Sequence, residues 1–354
     1  MNRFEDLTPE SIASVYLGML GRAPEGDHVV DYHMKETRST VDLVRSLARS
    51  AEFLARVGTP STHSSPFFHP NASVDCRAIV ESHINHDRAP RPGCYVNFLG
   101  VAIPVKVMSQ IKDKAGQLDE VPIPKNFHAD MSEWAAALRA VDLARGTFTM
   151  IELGCGWGCW MNNTGLAARA RGLKVHLIGI EGDDTHLDYA RETLGINGFQ
   201  ASDYTLLRGI AAGRPGTALF LRHLNEGWGT EPLFGVSEEE ARKAVASGKY
   251  DRLPMVPLDE AIGDRPQIDL IHIDIQGGET ALVEESLDLL SRKVGYLVIG
   301  THSRSIEGRL MDTLLGAGWV LEIERPAIFW IEDGRPVTVV DGLQGWKNPT
   351  IHGR

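Results

Sequence analysis

At 354 residues, with 43% hydrophobic and 23% charged side chains, the chain is long enough for two domains and has the make-up of an ordinary globular protein. Its formal net charge of −11 argues against nucleic acid or an anionic membrane surface as the main partner, because both favour a basic surface. The four cysteines, Cys76, Cys94, Cys155 and Cys159, form no C-x-x-C pair, so they signal neither a structural zinc nor a redox motif and suit a reducing compartment.

The amino terminus, MNRFEDLTPE, carries acids and no apolar core, unlike a signal peptide. No apolar run approaches the roughly 18 residues of a bilayer span, so a cytoplasmic protein is expected. Thr8 and Pro9 make an N-cap and first-turn pair. Ile12, Val15, Tyr16, Met19 and Leu20 then fall on one helical face. GRAPEGD (21–27) reads as a turn, a second helical pattern runs from about Thr40 to Ala48, and a third begins at Ser50 with Phe53, Leu54 and Val57 inward. Residues 1–57 are therefore expected to form a small helical module, followed by a Ser/Pro/Thr-rich linker over 58–72.

Residues 73–147 read as an N-terminal extension of the larger domain beyond them, with a strand or hairpin in CYVNFLGVAIPV (94–105) and a helix over 131–142. From Phe148 the pattern becomes regular. The apolar strands FTMIEL, VHLIGIE, YTLLR, IDLIHID and GYLVIG alternate with amphipathic helices, and WVLEIE and AIFWIE are expected to close the chain as an antiparallel pair. That alternation predicts an α/β domain over 148–354, a mostly parallel sheet covered on both faces. Residues 224–257 interrupt it as an insertion, with a helix starting at Ser237 whose Glu240 completes a capping box. Its Trp228 and Phe234 are either packing residues of a loop or platforms for a sugar ring.

MIELGCGWGCW (150–160) raises the functional question, because Gly154, Gly156 and Gly158 recur at every second position behind Glu152. In a doubly wound sheet the first strand–turn–helix unit approaches the ligand most closely. A dinucleotide fingerprint, G-x-G-x-x-G/A, fails here because its third position falls on Cys159. The pattern present, E-x-G-x-G-x-G, resembles that of Rossmann-like S-adenosylmethionine (SAM) enzymes. The resemblance implies a cofactor site formed by Glu152, Gly154, Cys155, Gly156, Trp157 and Gly158. Glu152 would meet the methionine ammonium or organise the loop that does. Glu181, ending the next strand, is placed to bind the ribose hydroxyls, with Gly182 and Asp183 bordering the adenine. RGIAAG (208–213) offers no acid for the adenine amino group, and that contact stays unassigned.

IDLIHIDIQGGE (268–279) resembles the block of FkbM-type methyltransferases, a hydrophobic strand ending in D-x-x-G-x-E, with Asp274, Gly277 and Glu279 at those positions and Leu258–Asp259 as a preceding Leu-Asp pair. The chain departs from that pattern at Gln276, where a Glu is usual, and at GTHS, which has His302 without the acid before it. The resemblance implies a class I SAM-dependent methyltransferase, usually acting on a hydroxyl, often of a sugar. It makes Asp274 also borders the cofactor. His272, Trp228 and Glu279 are expected on the acceptor side. YLGMLGRAPEG with RSLARSAEFLARV resembles a small bacterial helical domain of unknown function found in glycan- and surface-associated proteins, which implies a glycan-assembly partner for residues 1–57 and a place in polysaccharide biosynthesis. The alternative is a catalytically silent SAM-fold scaffold in glycan assembly, which Gln276 and the missing acid would suit.

Overall fold

In the computed structural model the described residues are 7–37, 39–48, 50, 52–53, 70–222 and 229–353. The chain divides into two compact units, Met1–Phe68 and His69–Arg354. In the first, the helix Pro9–Leu20 is closed at its start by a reciprocal pair: Thr8 Oγ1 accepts from Ser11 N at 3.1 Å and Ser11 Oγ from Thr8 N at 2.8 Å. Its Ile12, Tyr16 and Leu20 pack with Leu43 and Leu47 of the helix Thr40–Ala48. A further helix, Asp27–Glu36, lies where the sequence reads as a turn running into featureless chain. Among its ten residues only His33 is buried, hydrogen-bonded to Tyr16 Oη at 2.8 Å, so it has no apolar stripe to betray it. Leu54 and Val57 lie outside the described residues.

The second unit is built on an eight-stranded sheet: β1 (Asn71–Ala72), β2 (Thr147–Leu153), β3 (Lys174–Glu181), β4 (Tyr204–Arg208), β5 (Ile268–Ile273), β6 (Val294–Thr301), β7 (Val320–Arg325) and β8 (Gly342–Lys347). In space they run β1-β7-β8-β6-β5-β2-β3-β4. The strands from β4 through β6 are parallel to their neighbours, whereas β8 is antiparallel to both β6 and β7. This is the expected α/β architecture, a Rossmann-like sheet with an antiparallel carboxy-terminal strand. Strand order reverses between β2 and β5, so a crevice opens beyond their carboxyl ends. Side chains alternate across the sheet: Phe148, Met150 and Leu270 join one apolar layer, Ile151, Leu153, Ile271 and Ile273 the other.

Three elements depart from expectation. Val320–Arg325 does not pair with AIFWIE. It pairs with β8, and Ile328–Glu332 folds instead against Arg335–Val340 as a separate hairpin. GLQGWK, with two glycines and a glutamine, lacks the β-branched pattern of a strand, yet all of it but Lys347 is buried between β6 and β7. Second, the insertion at 224–257 is not a long loop. Tyr250–Pro257 is the central strand of a three-stranded sheet with Ile210–Ala212 and Gly216–Leu221, and Ser237 caps the helix Glu238–Ala246 with Glu240 closing the box. Third, in the extension, Cys94–Val96 and Ala102–Pro104 do form the hairpin, but a short strand, Gln117–Leu118, joins it. Among the described residues no helix is long and apolar enough to cross a membrane.

Candidate active site

A cavity of about 840 Å³ lies beyond the carboxyl ends of β2, β3, β5 and β6, within the size range of small-ligand sites. Its first wall is the glycine turn. Gly154 has a left-handed backbone (φ 74°), and a Cβ there would lie 2.5 Å from the carbonyl oxygen of Asp274. The glycine thus lets the turns after β2 and β5 close on one another. Gly158, also left-handed, starts the helix Cys159–Ala170, and its bare Cα makes room for Ala190 of the helix Asp184–Ile196. Gly158 serves that packing and is not part of the cavity wall, whereas Gly154, Cys155, Gly156 and Trp157 are.

Both acids of the turn are held by backbone amides. Glu152 Oε1 accepts from Trp160 N at 3.1 Å and Oε2 from Met161 N at 2.9 Å, so its carboxylate caps the adjoining helix. It is buried, and burial pushes its pKa up to about 7 against the opposing pull of His272 and the two amides. Glu181 Oε2 accepts from Gly156 N at 2.8 Å and Oε1 from Asp183 N at 2.9 Å, which ties the end of β3 to the turn after β2. Each of these oxygens retains a lone pair toward the cavity that Glu181 lines. Asp183 stands elsewhere: its carboxylate caps the helix Asp184–Ile196 through Thr185 N and His186 N, and it is not a wall residue. Gly182 is one.

The unassigned wall after β4 is apolar. Gly209 through Gly213 line the cavity with Phe220 and Met255, so a flat ring there would meet backbone and hydrocarbon in place of an acid. The signal in the sequence is the run of small residues in RGIAAG; nothing local pointed to Phe220 or Met255, which the second sheet brings in. From the insertion, Gly229, Thr230, Pro232 and Phe234 reach the wall, and Leu233 is pinned to Leu219 by paired backbone bonds of 2.9 and 3.0 Å. Trp228 lies outside the described residues.

Two groups of titratable side chains complete the site. In the first, His272 pairs across β5 and β2 with Glu152, lies nearly parallel to Trp160 at 5.1 Å, and meets Glu133 Oε1 through Nε2 at 3.1 Å. Burial, the largest influence on His272, opposes its charge, but Glu133 outweighs it and holds the imidazole toward the protonated form. His128, which burial lowers to about 4, sits beside it with Nε2 2.6 Å from Cys159 Sγ. Glu133 and His128 come from the extension and were not foreseen. An acid in the first turn of a helix is what the helix dipole favours anywhere, so Glu133 carried no distinguishing mark.

The second group joins the turn after β5 to that after β6. Asp274 Oδ1 accepts from Gln276 Nε2 at 3.0 Å and lies 3.3 Å from His302 Nε2. His302 Nδ1 lies 3.0 Å from Glu279 Oε1. Burial opposes the charge on His302, but the two carboxylates outweigh it and push its pKa up to about 10. Desolvation likewise raises the Asp274 carboxyl, and the neighbouring imidazole more than offsets it, leaving the carboxyl below its usual range. Asp274 and His302 both line the cavity. Glu279, expected on the acceptor side, does not. It is fully buried at the start of the helix Glu279–Lys293, with Oε1 taking Ile275 N at 3.2 Å and Gly277 N at 3.0 Å. Its distance from the cavity comes from this folding back onto its own loop, which Gln276 enables by adopting a left-handed backbone (φ 57°) that costs a non-glycine residue about 1 kcal/mol or more.

A sheet of this order, with a glycine turn and a strand-end acid at its switch point, defines an α/β protein that binds a nucleotide-like ligand beside a carboxylate–imidazole pair. The chain is 45% identical over 269 residues to a protein of Jannaschia sp. (strain CCS1) named "Putative methyltransferase", an alignment spanning 75% of this chain and 96% of that one. It belongs to that methyltransferase family. No family model matches it. Among solved structures, methyltransferase FkbM from Methylobacillus flagellatus KT is 16% identical with a TM-score of 0.36, covering 61% of this chain and 55% of that one. Precorrin-6y C5,15-methyltransferase from Geobacter metallireducens GS-15 is 13% identical with a TM-score of 0.34, covering 60% and 86%. At such scores these likenesses bear on neither chemistry nor substrate.

Proposed function

We propose that the protein is a SAM-dependent methyltransferase that transfers the methyl group to a hydroxyl, most simply that of a sugar or glycan precursor. The observation that carries this reading is one cavity that joins the glycine turn and Glu181 to the Asp274–His302 pair. Glu181 has lone pairs left for two ribose hydroxyls, Gly209–Gly213 and Phe220 form a flat apolar slot for a base, and Glu152 keeps the turn in shape. His272 Nδ1 is buried without a partner at the same wall, a polar atom suited to the amino-acid end of the cofactor. Bound there, SAM supplies a methyl carbon on a sulfonium that leaves as a thioether. The chain's task is then to align a hydroxyl and take its proton. Asp274, half exposed in the cavity, receives the hydroxyl, with His302 and Gln276 fixing its carboxylate. Phe234, half exposed at the mouth, offers a face for a sugar ring. Residues 1–57, with no acid–histidine cluster among their described positions, would serve recruitment to a glycan-assembly partner.

Calorimetry with S-adenosylhomocysteine and NAD tests the cofactor. Tight binding of the first and none of the second is expected, and Glu181→Ala should weaken it by about 1.5–3 kcal/mol, the scale of hydrogen bonds to a charged group. Preference for NAD, or full affinity in the variant, would remove the reading.

A further inference from the structure

The loop between β5 and the helix Glu279–Lys293 contains an electrostatic imbalance. Two carboxylates converge on one imidazole, and one donor atom from each of Asp274, Glu279 and His302 lies within 4.8 Å of the others. A proton on both ring nitrogens of His302 would neutralise one of the two negative charges. It would leave the other, and it does not reach Glu279 Oε2, which is buried with no hydrogen-bond partner. His302 Nδ1, although 3.0 Å from Glu279 Oε1, is misaligned for a hydrogen bond and is likewise buried without one. An unpaired oxygen on a fully buried carboxylate is strongly unfavourable unless a cation or donor meets it.

From this geometry we infer that Asp274, Glu279 and His302 form a binding site for one divalent cation. The donor set selects among ions. Ca²⁺ takes six to eight oxygens, and Mg²⁺ holds oxygens and water in strict octahedra, so neither favours an imidazole. Two carboxylates with one imidazole suit a first-row transition ion such as Mn²⁺ or Zn²⁺. The separations of 3.3 and 3.0 Å are those of neighbouring ligands around an ion with bonds of roughly 2.1 Å. Gln276 adds support, since its left-handed backbone turns the Asp274 end of the loop back over Glu279 and serves no packing purpose in an ordinary strand–helix turn. Asp274 is half exposed in the cavity, so a bound ion keeps open positions toward the place where a hydroxyl would enter. An oxygen taken up there loses its proton more easily. That last step rests on the methyltransferase reading; ion binding itself does not.

The test uses metal-free full-length protein titrated with Mn²⁺, followed by the electron paramagnetic resonance signal of the free ion, with Zn²⁺, Mg²⁺ and Ca²⁺ compared by calorimetry. One Mn²⁺ per chain is expected, with Zn²⁺ competing and Mg²⁺ and Ca²⁺ weaker. Loss even of a metal site's outer-shell partner costs 10–100-fold, so Glu279→Gln and His302→Ala should each weaken Mn²⁺ at least about tenfold. S-adenosylhomocysteine affinity, measured on the same samples, should change little in Glu279→Gln and reports that the fold survives. Should that variant fail to fold, Asp274→Asn, altered at the half-exposed cavity wall, carries the comparison. Absence of a stoichiometric Mn²⁺ site, or unchanged affinity in the folded variants, overturns the inference even where S-adenosylhomocysteine binds normally. Mn²⁺ binding without S-adenosylhomocysteine binding upholds the ion site and removes the cofactor reading instead.

Discussion

The turns after β2 and β5 occupy equivalent places on neighbouring strands, and each pairs a strand-end acid with glycines and a helix start. They treat their acids in opposite ways. In the glycine turn all four oxygens of Glu152 and Glu181 accept a backbone amide, so these carboxylates first hold the loop and only then face a ligand. In the turn after β5 the amides go to one oxygen of Glu279; its other oxygen has none, and Asp274 is held only by side chains. A carboxylate saturated by its own backbone behaves as scaffold. One left unsatisfied under the same burial needs a partner from outside, and that difference separates a place that cradles a cofactor from a place where charge can be moved.

Three experiments break or sharpen that contrast. Gly154 braces both turns, so Gly154→Ala should damage both together. The left-handed backbone costs about 1–2 kcal/mol and the contact with the Asp274 carbonyl about 1–3 more, a loss visible in denaturant midpoints and accompanied by weaker cofactor binding and slower turnover. If only one of the two activities fell, the turns would be independent and the comparison would lose its basis. Asp274→Asn should separate them. Steady-state kinetics on an accepted sugar should show kcat down by about a hundredfold or more, with S-adenosylhomocysteine affinity little changed, as expected where the acid acts on the proton and not on the cofactor. Near-normal turnover would make Asp274 scaffold like its counterpart.

The smallest effect concerns Glu152 and is read in stability. Its folded pKa, about 7, lies above its ordinary value of 4.5, so its contribution to stability is full below about 4.5 and is lost as pH rises through 7. Glu152→Gln cannot ionise and loses one of the two amide contacts. Cofactor-free wild type should therefore exceed the variant in stability at pH 5, and the gap should narrow by on the order of 1–3 kcal/mol by pH 8. A gap that widens with pH would mean that the carboxylate is stabilised as an anion by something other than the helix amides.

The glycine turn was legible because its information is local. Acid, glycines and helix start lie within eleven residues, and each part derives from strand geometry, positive φ and the helix dipole. The same locality misled at Asp183 and Gly158, where a helix cap and a packing contact use the residue types a ligand site would. The sequence of strands and helices in the second unit was legible for the same reason, since apolar periodicity survives without tertiary context. GLQGWK was not, because a strand buried between two others can be formed from residues of low strand propensity when the sheet supplies the pairing. By itself, then, the chain determined the nucleotide turn, the parallel sheet and the Asp274–His302 pair. Only the tertiary structure decided that Glu279 turns inward to join that pair, that Glu133 reaches His272 across 139 positions, and that a second small sheet supplies the apolar slot. These are meetings of residues far apart in the chain, and no local pattern encodes which buried carboxylate will be left without a donor.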